Sequence, residues 1–175
     1  MNVYGNNNSY TPNCQGDWIY TLKEHYGRFI LSTFDRIEAS QKLYCTFTFH
    51  HPIHPESAYK AFNIAIHRWN REAYGVRYWK RRHGAVGFVA LEYQKRDVIH
   101  FHSLVAFPVY PDRIPREVRR MDMVDWWWNK FGIARIYDYD PSLGASYYLG
   151  KYVSKGGEID WFGRTDILKP QLRLF

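Results

Sequence analysis

Two β-rich runs, Ala85–Tyr93 and Val98–Phe107, stand on either side of the short polar turn Lys95-Arg96-Asp97. Runs joined this briefly must pair antiparallel, because a parallel crossover needs a dozen or more residues. The remaining segments have to pack on or beside that hairpin. Leu43–Phe49 (LYCTFTF) reads as a further strand from its β-branched and aromatic content. Pro55 or Glu56 opens a helix to about Tyr74, with Ala58, Phe62, Ile66 and Trp69 at helical spacing. A second helix is expected from Pro115 to about Lys130, where Gly132 ends it, followed by a short strand over Ile133–Tyr137. A turn at Asp140-Pro141-Ser142 leads into a last helix over Leu143–Lys155, stopped by Gly156-Gly157. Residues 17–38 carry a weaker helical pattern.

The order β-α-β-β-α-β-α describes two split βαβ halves. It predicts an α+β fold, a central antiparallel sheet with flanking helices mainly on one face. The 175 residues fit one compact domain. Residues 1–41 read as a partly helical N-terminal extension, 42–157 as the core, and 158–175 as a tail packed on the core or mobile. An apolar content of 46% argues against global disorder. The sequence contains neither a run of 18 apolar residues nor a signal-type apolar segment, which points to a cytoplasmic protein with no membrane partner. Cys14 and Cys45 offer neither a disulfide framework nor a cysteine zinc site.

The net charge of +7 favours a polyanionic partner. Between positions 67 and 83, Arg68, Arg71, Arg77, Lys80, Arg81 and Arg82 are opposed by Glu72 alone, with Tyr74, Tyr78 and Trp79 among them. Cations interleaved with aromatics suit a groove for single-stranded nucleic acid, so these six basic residues and Trp79 are candidate DNA contacts.

His100-Phe101-His102 lies in the second strand of the hairpin. Strand side chains alternate, so both imidazoles share one face with Leu104 and Ala106, while Phe101, Val105 and Phe107 take the other. A His-x-His triplet alone is weak, since a chain with eight histidines produces one easily by chance. Glu92 strengthens it. With a three-residue loop Glu92 falls opposite His100 on the same face; with a two-residue loop Tyr93 stands there instead. Two imidazoles and a carboxylate suit a divalent ion, manganese or magnesium, with zinc also compatible. Gln94 is a reserve ligand, and His50, His51 and His54 read as a polar loop near the site. Farther on, Tyr148 and Tyr152 are one helical turn apart, and Lys151 and Lys155 each follow a tyrosine by three residues. A phenol of pKa near 10 needs such neighbouring positive charge to act as a nucleophile.

Taken in order, Leu43–Phe49, His100-Phe101-His102 and Tyr148–Lys155 resemble the three motifs of rolling-circle replication initiators of the HUH endonuclease superfamily. The third is similar to the two-tyrosine form in the gene A proteins of small single-stranded DNA phages. The resemblance implies an RRM-like sheet holding the metal at Glu92, His100 and His102. It implies attack by Tyr148 or Tyr152 on a single-stranded or hairpin origin, and a 5′-phosphotyrosine with a free 3′-OH as products. Lys151 and Lys155 neutralise charge in this scheme, and a host helicase and polymerase are the implied partners. Two other readings compete with it. One is an HUH transposase or relaxase for DNA mobilisation. The other is an RRM-like module that binds single strands without cutting them.

Overall fold

A computed structural model describes residues 25, 27–93, 98–143, 159–164 and 166. A helix over residues 27–35 (α1) precedes strand Ala39–Thr48 (β1) and helix Pro55–Tyr74 (α2). Strands Val86–Tyr93 (β2) and Ile99–Pro108 (β3) form the hairpin, followed by helix Arg120–Lys130 (α3) and strand Ala134–Asp138 (β4). Strand Ile159–Phe162 (β5) completes a five-stranded sheet of order β4-β1-β3-β2-β5, antiparallel at every pairing. The α+β expectation holds. β3 sits between β1 and β2, the arrangement that a split βαβ unit requires.

The two faces of the sheet bury different partners. Leu43, Cys45 and Phe47 of β1 and Phe101, Val105 and Phe107 of β3 meet Ala58, Phe62, Ala65 and Trp69 of α2 and Trp127 of α3. Val86, Phe88 and Ala90 of β2 and Leu104 and Ala106 of β3 meet Ile30, Leu31, Phe34 and Ile37 in and just after α1. Lys42 ties α1 to the sheet, its Nζ donating to the carbonyls of Phe34 (3.0 Å) and Asp35 (2.9 Å) where the helix ends. α2 opens with Pro55 in its first turn, and the ring of His54 accepts from the Glu56 N–H at 3.4 Å.

Two sequence expectations change. The helix expected from Pro115 begins only at Arg120. The backbone before it is held by tertiary acceptors instead: Arg116 N–H donates to Ala73 O at 2.9 Å, Val118 N–H to Gln41 Oε1 at 3.0 Å, and Arg119 N–H to Glu72 Oε1 at 2.9 Å. Donors satisfied by distant partners gain nothing from a helical turn. The tail, which shows no clear periodicity, contributes β5, paired along β2 from Gly87↔Phe162 to Ala90↔Ile159. The strand expected over Ile133–Tyr137 is present one residue farther on. The helix expected over Leu143–Lys155 falls, after its first residue, outside the described residues.

Trp127 and Gly132 fasten the end of β1. Trp127 is fully buried, packs its ring 4.6 Å from that of Phe47, and donates its indole N–H to Thr48 O at 3.0 Å. A Cβ on Gly132 would stand 2.1 Å from Thr48 O and 2.8 Å from Phe49 Cα, so only glycine lets the turn after α3 approach this closely. Gly132→Ala is expected to destabilise the fold by about 1–3 kcal/mol, as overpacking against rigid backbone does. Urea unfolding measures this as a lowered midpoint at unchanged slope.

Candidate active site

The hairpin register places Glu92 directly opposite His100, with Tyr93 opposite Ile99. Of the two loop alternatives left open by the sequence, this is the one that sets Glu92 on the histidine face. β1 extends the rows: Thr48 is opposite His100, and Thr46 is opposite His102. Glu92, His100, Thr48, His102 and Thr46 therefore share one face, beyond the apolar patch under α1.

The imidazole rings lie 6.1 Å apart, tilted by 27°. His100 Nδ1 is 3.3 Å from Thr48 Oγ1, and His102 Nδ1 is 3.3 Å from Thr46 Oγ1 and 3.4 Å from the Tyr44 hydroxyl. His102 Nε2 is 3.4 Å from Glu92 Oε2, with the two side chains only 13% and 14% exposed. Hydroxyls donate or accept as required, so β1 can orient either ring in either tautomer. Sequence reading missed these hydroxyls as functional groups. Their signal is present in Tyr44, Thr46 and Thr48, which alternate with the apolar Leu43, Cys45 and Phe47.

Burial holds the His100 pKa below the ordinary imidazole value; Glu92 opposes that shift and Arg135 adds to it. A neutral ring at pH 7 keeps a lone pair available for a metal. The donor set, two imidazoles and a carboxylate, fits a divalent ion in chemistry and in facing. As the side chains stand, Glu92 contacts His102, and among the described residues no group of three or more His, Cys, Asp or Glu is arranged to hold an ion.

The other candidate residues lie elsewhere. Arg68 and Arg71 line a groove of about 720 Å³ between α2 and α3, together with Trp126, Arg119 and Lys130. That groove is on the helical side of the sheet, away from the histidine face. Arg77, Trp79, Lys80, Arg81 and Arg82 are exposed around a 3-10 turn at Tyr78–Arg81, just before β2 starts, whereas Glu92 is at the far end of β2. The structure does not bring the basic run and the histidine pair together. His54 caps α2, and His50 Nε2 donates to Trp128 O at 3.3 Å. Gln94, Tyr148, Lys151, Tyr152 and Lys155 lie outside the described residues.

In metal-free protein His100 is expected to titrate below the imidazole value of about 6.5 in unfolded chains. Below that pH the unfolded chain takes up the proton first. The stability tied to neutral His100 is therefore full above about pH 6.5 and is lost as pH falls through the folded value. Imidazole proton resonances followed against pH check this, and Glu92→Gln should lower the midpoint further because it removes the charge that favours imidazolium.

No curated protein matches the chain, and no solved structure matches it. Among the described residues, no helix is long and apolar enough to cross a membrane. The family model for the replication-associated protein ORF2 matches residues 42–157, about two thirds of the sequence, including β1 from Lys42 and all of α2, β2, β3, α3 and β4. The chain belongs to this replication-associated protein family and has a replication-initiator role.

Proposed function

We propose that this protein is a metal-dependent endonuclease that nicks single-stranded DNA at a replication origin and becomes joined to the new 5′ end through a tyrosine. The observation that carries the reading is the common face of Glu92, His100 and His102, with ring orientation supplied by β1 hydroxyls, in a chain of a replication-associated family.

His100, His102 and Glu92 hold the ion, and the Glu92–His102 contact is exchanged for shared ligation. A bound divalent ion, manganese or magnesium with zinc as the third choice, polarises a phosphate oxygen and neutralises developing charge. Thr48 and Thr46 fix the two rings, so the ligands are aimed before the ion arrives. The oxygen of Tyr148 attacks the phosphorus; the Tyr O–P bond forms as the P–O3′ bond breaks. The 3′-oxygen leaves with the electron pair and takes up a proton, giving the 3′-OH that primes synthesis. Lys151 and Lys155 offset charge on the phenolate and phosphate. Tyr152 performs the next cleavage when the strand is closed. The strand itself is the substrate, unwinding and extension fall to a host helicase and polymerase, and the work is done in the cytoplasm of the host cell.

Incubation of the full chain with single-stranded oligonucleotides and manganese is expected to give a covalent protein–DNA band in denaturing electrophoresis. Chelation of the metal and the Tyr148→Phe, Tyr152→Phe double variant should each abolish it. Cleavage without an adduct would mean attack by water, and binding without cleavage would mean a binding module; either result overturns the reading. Thr48→Val is expected to weaken manganese binding about 10- to 100-fold, measured by calorimetry, by releasing the His100 ring from its orienting hydroxyl.

A further inference from the structure

We propose that Arg135 and Tyr137 of β4 form a single-strand DNA track on the histidine face, Arg135 holding a backbone phosphate next to the one that is cut and Tyr137 stacking a base. The inference rests on the reading of Glu92, His100 and His102 as the cutting site.

β4 pairs with β1, and the register sets Arg135 opposite Thr46 and Tyr137 opposite Tyr44. Directly paired residues of an antiparallel sheet share a face. One row across the sheet therefore reads Arg135, Thr46, His102 and Ala90; the next reads Tyr137, Tyr44, Leu104 and Phe88. Neighbouring strands are about 4.8 Å apart, which puts the Arg135 backbone about 10 Å from that of His102, within side-chain reach of a phosphate beside the site.

Both side chains are exposed, Tyr137 to 53%. β4 is the last strand on its side of the sheet, so a single strand can enter from that side without meeting another strand. The nearest β4 carboxylate, Asp138, is engaged by Arg120 at 2.8 Å rather than by Arg135. A guanidinium and a phenol ring two residues apart on one strand offer the two contacts that bind single strands without regard to sequence: a cation for the backbone and a flat surface for a base. The basic run that the composition singles out lies at the opposite end of the sheet and cannot serve this position.

The test is binding of a fluorescently labelled single-stranded oligonucleotide by the full chain, free of metal so that nothing is cut, over a series of salt concentrations. Arg135→Gln is expected to lower affinity at every sequence tested and to reduce the slope of log K against log salt by about 0.7, the value for one lost phosphate contact on a single strand. Arg135→Lys should restore the slope. Tyr137→Ala should weaken binding about five- to hundredfold, and Tyr137→Phe should not. Unchanged far-ultraviolet circular dichroism shows that these exposed changes leave the sheet intact. An unaltered slope in Arg135→Gln overturns the track, as does a loss confined to Arg68→Gln and Arg71→Gln, which would move the strand to the groove between α2 and α3. The cutting assay separates the two claims. If the unaltered protein forms an adduct and Arg135→Gln keeps its slope, only the track fails. If it forms none and the slope still falls, only the cutting reading fails.

Discussion

The pairing of β3 with both neighbours is the constraint on which the site depends. Thr48, His100 and Glu92 form one row across three strands only because Thr48 lies opposite His100 in one ladder and Glu92 opposite it in the other. A slip of one residue in either ladder would turn one strand's polar set to the other face. On that other face stands the densest packing of the molecule, where Phe47, Phe101, Phe62, Trp69 and Trp127 are buried together. Burying imidazoles among those rings would leave their nitrogens without partners, and the aromatic side chains would be exposed in exchange. The bulk of the helical core thus enforces the polar register of the opposite face.

That enforcement reaches the site through the end of β1. Thr48 contributes its hydroxyl to His100, while its carbonyl accepts the Trp127 indole and its N–H donates to Ile133 O at 2.8 Å. Gly132 presses against the same carbonyl. α3 and the start of β4 therefore converge on the residue that aims His100. The same join delivers β4 in register along β1, which sets Arg135 beside the histidines. Packing on the helical face and positioning on the polar face share one residue, so a loosened α3 is felt at the imidazoles.

Much of this was legible in the sequence because it depends on alternation and on short connections. The hairpin, the face shared by His100 and His102, and helix α2 follow from local pattern, and Glu92 followed once a loop length was assumed. What was not legible depends on distant partners. Pro115 looks like a helix start, yet Ala73, Gln41 and Glu72 take the backbone donors that follow it, and no local feature announces acceptors more than 40 residues away. β5 has four residues, too few for a periodicity to emerge, and owes its structure to the open edge of β2. Arg135 is one cation in a short amphipathic run; its importance comes from the strand beside it. The basic run at 67–83 was conspicuous in the sequence, but proximity to the histidines was not written there.

That last separation has an electrostatic consequence. β2 is eight residues long, so about 25 Å of strand separates the cations around Arg77–Arg82 from Glu92. At physiological salt the screening length is about 8 Å, and charges across that span act on the histidine end weakly through solvent. The basic end can raise the local concentration of DNA and hold remote phosphates, contacts that strengthen binding without favouring the reacting phosphate over any other. Charge that develops at the scissile phosphate has to be met where it forms, by an ion on the imidazoles and by the cation that β4 brings alongside them. The +7 of the whole chain is thus a poor guide to the chemistry, and the position of a single arginine in the strand register is a better one.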